Sequence, residues 1–156
     1  MTKEQLREYE SYLNPLLEDK KVQQMTKYIQ HGNTTCLEHC QAVARRSAEI
    51  AYKYNIQVDM KSMVRGALLH DYFLYDWHHQ KLGNLHGFYH PGIALRNAMR
   101  DFELNEIERD VIRKHMFPLT LYLPKYKETV LVCLADKDCT IREFFASFFK
   151  KAVCKA

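Results

Sequence analysis

Residues 35–54 read TCLEHCQAVARRSAEIAYKY, and this stretch decides the fold. Cys36, His39, Cys40, Val43, Ser47, Ile50, Ala51 and Tyr54 recur at steps of three and four, the spacing that lines up one face of an α-helix. His39 stands in the middle of that apolar face, one turn from Cys36 and Val43. Thr34 or Thr35 is placed to cap the helix, and His31-Gly32-Asn33 reads as the stop of a helix before it.

Outward from this stretch the same periodicity continues. Upstream, residues 1–13 predict a short helix ended near Asn14-Pro15. Residues 18–30 predict a second helix, with Val22, Met25 and Ile29 on one face. Downstream, Asp59 caps a helix running through Met63, Val64, Ala67 and Leu68 to His70-Asp71. Residues 72–88 are aromatic and His-rich without a clear period, which predicts a loop over a pocket with at most one helical turn. Pro91 starts a helix to about Phe102, and Asn105 caps another that ends near His115, ahead of Pro118. After a loop over 119–126, residues 128–153 form a last long helix, with room for a break near Thr140. Five Gly and four Pro in 156 residues are too few for many short strands and tight turns. The expected fold is all-α, a single domain over 1–156 with at least six helices and no sheet of three or more strands.

Composition narrows the function classes. Hydrophobic residues make up 47% and charged residues 27%, the balance of a soluble globular chain that can bury a core without disulfides. The net charge of +4 is scattered rather than gathered into an arm, so no specific nucleic-acid partner is expected. That mild excess suits a small anionic substrate as well as a neutral one. Five Cys, an odd number with no CxxC, fit a reduced, cytoplasmic chain. The first residues lack an apolar signal core, and no run approaches the length of a membrane span. Nothing in the pattern specifies an oligomeric state.

The chemistry concentrates where metal-ligand residue types interrupt apolar faces. His70-Asp71 follows Ala67-Leu68-Leu69, and Asp136 follows the apolar run from Val130 to Ala135. A buried ionised carboxylate costs on the order of several kcal/mol unless a cation pairs with it. One metal ion satisfies His39, His70, Asp71 and Asp136 together, although His39 taken alone reads more readily as a core histidine bonded to a carbonyl. Neighbouring helical residues point about 100° apart, so His70 and Asp71 converge most easily at a helix end. Imidazole with carboxylate suits Mn, Fe, Ni or Zn, and Mg less well.

The order His39, His70-Asp71, Asp136, with an Ala-Asp-Lys helix far downstream, resembles the metal motif of the HD-domain superfamily over about 35–143. That resemblance implies an HD-like helical bundle around the metal and a metal-dependent phosphohydrolase. His90-Pro91-Gly92 and Ile112-Arg113-Lys114-His115 are similar to segments that add two ligands in two-metal members. The implied set is His39, His70, Asp71, His90, His115 and Asp136, holding one or two divalent transition-metal ions with Asp71 bridging. Met116 follows His115 where many two-metal members carry a paired His, and the GYP extension of cyclic-di-GMP phosphodiesterases is absent.

The implied reaction is hydrolysis of a nucleotide or other small phosphate ester by a metal-activated water. Asp71 and Lys137 are the expected catalytic side chains, Lys137 being equally readable as a solvated lysine. His86 is the rival to His90. His78 and His79 read as rim residues and Asp138 as a surface charge. Tyr72, Phe73, Tyr75 and Trp77 read as packing or as a stacking platform. The alternatives are an HD-type mixed-valent di-iron oxygenase with the same ligands, or a non-catalytic nucleotide-binding module.

Overall fold

Thr35 takes the capping role its position offers. Its hydroxyl accepts from the Glu38 amide at 3.2 Å, and the Glu38 carboxylate accepts from the Thr35 amide at 2.8 Å. This reciprocal pair satisfies donors that the first helical turn leaves open. Asn105 and Glu108 repeat the device, and Asp59 caps through Ser62. The computed structural model describes residues 1–79 and 85–153, with 147–153 as helix backbone only. Among them stand α1 (Lys3–Leu17), α2 (Lys20–Gln23), α3 (Cys36–Lys53), α4 (Met60–Leu69), α5 (His86–Asp101), α6 (Glu106–Lys114) and α7 (Lys127–Val153). The strands β1 (Ile29–His31) and β2 (Thr34–Thr35) form a two-stranded antiparallel hairpin. The fold is all-α, as the periodicity predicts.

Several elements differ from the sequence reading. The expected helix over 18–30 is instead α2, a 3-10 turn over Gln24–Lys27, and β1. Val22 and Met25 are buried as predicted, but Tyr28 turns extended and Ile29 is exposed. Gly32, at φ 59°, then reverses the chain, so His31-Gly32-Asn33 is a hairpin turn and not a helix stop. The first helix continues past Asn14-Pro15 to Leu17. The fifth begins at His86, ahead of Pro91. The last runs unbroken through Thr140.

Helix α3 packs on α4 and α7, α4 also on α6 and α1, and α5 on α6. Val43, Ala44 and Ala48 of α3 meet Met63, Val64, Ala67 and Leu68 of α4 in one fully buried core with Val111, Ile112 and Val132. At Gly66 a Cβ would lie 2.9 Å from Cβ of Val111, so α4 and α6 touch more closely there than any side chain permits. One helical turn beyond that contact stand His70 on one chain segment and His115 on the other. Polar ties fix the opposite ends. The buried Asp110 carboxylate accepts from the Lys125 amide at 2.9 Å and the Thr129 hydroxyl at 2.7 Å, binding α6 to the start of α7. Glu128 accepts from the Asp59 amide at 2.8 Å, binding α7 to the start of α4.

Candidate metal centre

Each ligand expected from the sequence sits where local structure turns it inward. His39 lies on α3, Asp136 on α7 and His90 on α5. His70 and His115 are the C-terminal caps of α4 and α6, both still in helical conformation. Asp71 follows in a turn whose carbonyls at Tyr72 and Phe73 accept from the Asn97 amide of α5 at 3.1 and 2.9 Å. Three residues past Asp71, Leu74 takes φ 56°, a strained value that lets the chain leave the helix end sharply. All six residues are at most 7% exposed.

They converge as two groups. In the first, Nε2 of His39 is 3.1 Å from Oδ1 of Asp136 and 3.9 Å from Oδ2 of Asp71. Nε2 of His70 lies 3.3 Å from Oδ2 of Asp71 and 3.8 Å from Oδ1 of Asp136. In the second, Nε2 of His90 is 2.7 Å from Nε2 of His115 and 3.0 Å from Oδ1 of Asp71. Asp71 offers one oxygen to each group. Cys40 lies beside His70 and Asp71 as well, but burial pushes its thiol well above the ordinary range.

The outer hydrogen bonds settle the ring protons. Nδ1 of His70, His90 and His115 faces the carbonyl of Ala67, His86 and Ile112 at 2.7, 2.9 and 3.0 Å. Nδ1 of His39 faces the Glu143 carboxylate at 3.0 Å. These partners only accept, so every Nδ1 carries the proton and donates it. Four Nε2 lone pairs then point at one another and at two carboxylates. His70 Nε2 and Asp71 Oδ1 have no hydrogen-bond partner among the described residues. Such a cluster needs cations, whether protons or metal ions. Four imidazoles, each braced from behind, together with two carboxylates fit divalent transition metals.

Without metal, protons take up the charge. Burial alone would lower His39, but Asp136 and Glu143 hold it well above its ordinary value, and Asp71 does the same for His70. Burial would raise Asp71 and Asp136, yet the adjacent imidazoliums bring both well below the carboxylate range. Burial, with the charge of His70 and His90, pushes His115 down to about 3.

Two residues that sequence reading missed belong to this site. Glu143 stands seven residues past Asp136, on the same face of α7, and that spacing was its signal. Gln30 gave none, because only the hairpin brings it in. Its Nε2 donates to Oδ2 of Asp71 at 2.6 Å, while its buried Oε1 has no partner among the described residues.

Other expectations sort by geometry. His86 does not replace His90; it stacks on that ring at 4.5 Å and meets the Tyr75 hydroxyl through Nδ1. His78 is an exposed surface residue stacked on Trp77, and the side chain of His79 lies outside the described residues. Asp138 pairs with Arg46 and Arg142, and Lys114 with Asp110. Tyr72 and Phe73 are core residues. Lys137 donates to the carbonyls of His115 and Cys133 at 3.3 and 3.2 Å. A cavity of about 650 Å³ opens in front of the centre, lined by Gln30, Asp71, His90, His115, Asp136 and Lys137 among others.

No helix among the described residues is long and apolar enough to cross a membrane. The family model described as HD domain matches residues 36–140. No curated protein and no solved structure matches the chain.

Proposed function

The chain belongs to the HD-domain family, a group of metal-dependent phosphohydrolases, and from that premise we propose that it hydrolyses a nucleotide or other small phosphate ester. His39, His70, Asp71, His90, His115 and Asp136 would hold one or two divalent ions of Mn, Fe, Ni or Zn. The observation that carries this reading is the inward convergence of four Nε2 lone pairs whose Nδ1 protons are all spent outward. A bound divalent ion supplies Lewis acidity toward a phosphoryl oxygen and brings a water's pKa toward neutrality.

The chain's own residues do the rest. Asp71 spans the two groups with its two oxygens, and the Gln30 amide fixes its carboxylate plane. Glu143 holds the His39 ring in one orientation. Two Lys137 protons are on carbonyls, which leaves a third to meet charge developing on a phosphate. The apolar part of the wall, from Trp77, Met116, Pro118, Leu119 and Ile141, lowers the local dielectric and strengthens each of these contacts. A cavity of about 650 Å³ is the size that small-molecule sites occupy.

A ligand set of imidazoles with a bridging carboxylate also suits iron, so oxygenase chemistry is the second reading. Both are tested by purifying the protein without added metal, measuring its metal content, and screening phosphate esters with Mn²⁺ in air and in an anaerobic chamber. We expect phosphate release in both atmospheres. Turnover that requires iron and O₂ would overturn hydrolysis in favour of oxidation. Metal binding without turnover under any condition would leave a nucleotide-binding module.

A further inference from the structure

Beside the metal cavity lies a larger one of about 990 Å³, and the two share Trp77 and His86 as a common wall. Two guanidiniums, Arg96 and Arg113, stand in its lining, and no carboxylate does. Apart from the exposed Arg7, the other arginines are paired, among them Arg46 with Asp138, Arg65 with Glu108 and Arg100 with Asp101. Every Asp and Glu of the chain lies among the described residues, and among these neither Arg96 nor Arg113 has a carboxylate partner.

Arg113 is fixed all the same. Its guanidinium lies over the Tyr122 ring, 4.5 Å from the centroid. Its edge runs so close to α5 that a Cβ at Gly92 would meet Nη1 at 2.6 Å. Gly92 is therefore the notch that admits this side chain. An arginine positioned by stacking and shape, with its donors unspent on carboxylates, is arranged for an external acceptor of phosphate or carboxylate geometry. The remaining wall is mostly aromatic, with Ile93 and Leu95 beside the rings and Phe88 and Tyr89 47% and 55% exposed.

We propose that this groove is the second half of the substrate site. It takes an aromatic body carrying a second anionic group, gripped by Arg113 with Arg96 beside it. The phosphate ester of the same molecule lies across the Trp77–His86 wall in the metal cavity. The substrate class is thus a phosphate ester with two separated anions on a flat apolar frame. The assignment rests on the hydrolase reading of the metal centre.

The test uses non-hydrolysable probes, so that it reads the groove apart from catalysis. Biphenyl-4,4′-diphosphonate and biphenyl-4-phosphonate are titrated by calorimetry into Mn²⁺-loaded protein. The diphosphonate should bind about tenfold tighter or more, the gain of one charge-assisted contact. Arg113→Gln should remove that preference and leave the monophosphonate affinity unchanged. Gly92→Ala, which displaces the guanidinium, should reduce the preference in the same direction. Equal affinities for the two probes in the native protein would overturn the proposal. So would an Arg113→Gln variant that loses affinity for both probes alike. If no ester is hydrolysed while the Arg113-dependent preference persists, the groove stands as an anion site and the hydrolase reading alone falls.

Discussion

The two halves of the candidate centre are built differently. His39, His70 and Asp136 come from α3, α4 and α7, the helices that form the middle of the core. Their donor atoms alternate imidazole with carboxylate, and Glu143 braces His39 from behind with a full charge. His90 and His115 come from α5 and α6 and line the open cavity. Their Nε2 atoms face each other at 2.7 Å, with a single carboxylate oxygen between them and carbonyls behind. The first half is charge-balanced and deep. In the second both histidines line the cavity, whereas of the first half only Asp136 reaches it with His39 and His70 behind, so the electron-rich second half should release its ion more readily.

The comparison is broken most directly at His115. If two ions are bound, His115→Ala should remove one of them and most turnover while the first half stays filled, since His115 is one of the three donors of the second group. Elemental analysis alongside phosphate release checks this. Full metal content with normal turnover would reduce the centre to one ion and make His115 a pocket residue.

Glu143→Gln sharpens the comparison from the other side. It keeps a hydrogen-bond acceptor for His39 but removes the charge, and should weaken metal binding in the first half by about 10–100-fold. A competitive chelator titration reads the loss, and equal weakening of both ions would contradict the asymmetry.

Smaller effects concern the frame that holds the halves in register. Gly66→Ala must push Val111 away, one turn before His70 and His115, and should cost about 1–3 kcal/mol in chemical denaturation. Asp110→Asn weakens the tie between α6 and α7 by about 1–2 kcal/mol at neutral pH. Burial would raise the Asp110 carboxyl, but Lys114 and Thr129 lower it below its ordinary value. Its stabilisation is therefore present above the unfolded carboxylate pKa and fades as pH falls through the folded one. The gap between the native protein and Asp110→Asn should close on acidification; a constant gap from pH 7 to pH 3 would refute the charge's role.

Long helices and the first half of the centre were legible because each rests on local pattern. His39 interrupts an apolar stripe, and His70-Asp71 ends one. The hairpin over 29–35 was not legible, since Val22, Met25 and Ile29 keep helical spacing although the chain turns extended at Tyr28, and Gly32 reads as readily as a helix stop as a hairpin turn. Gln30 was lost with it: a residue placed on a helix cannot be expected to reach Asp71 from a strand. Pro91 misled in the opposite sense, because helix α5 already begins five residues earlier at His86. Arg96 stands in no motif and Arg113 in one that was read only for His115, and their lack of carboxylate partners exists only in three dimensions.

Asp71 is where the account is most exposed, because one carboxylate is asked to serve both halves. The deciding measurement is the metal content of Asp71→Ala protein, purified without chelator and shown by circular dichroism to keep its helices. The bridging geometry predicts that both ions are lost together. Metal content equal to that of the native protein, in a folded variant, would contradict the centre itself.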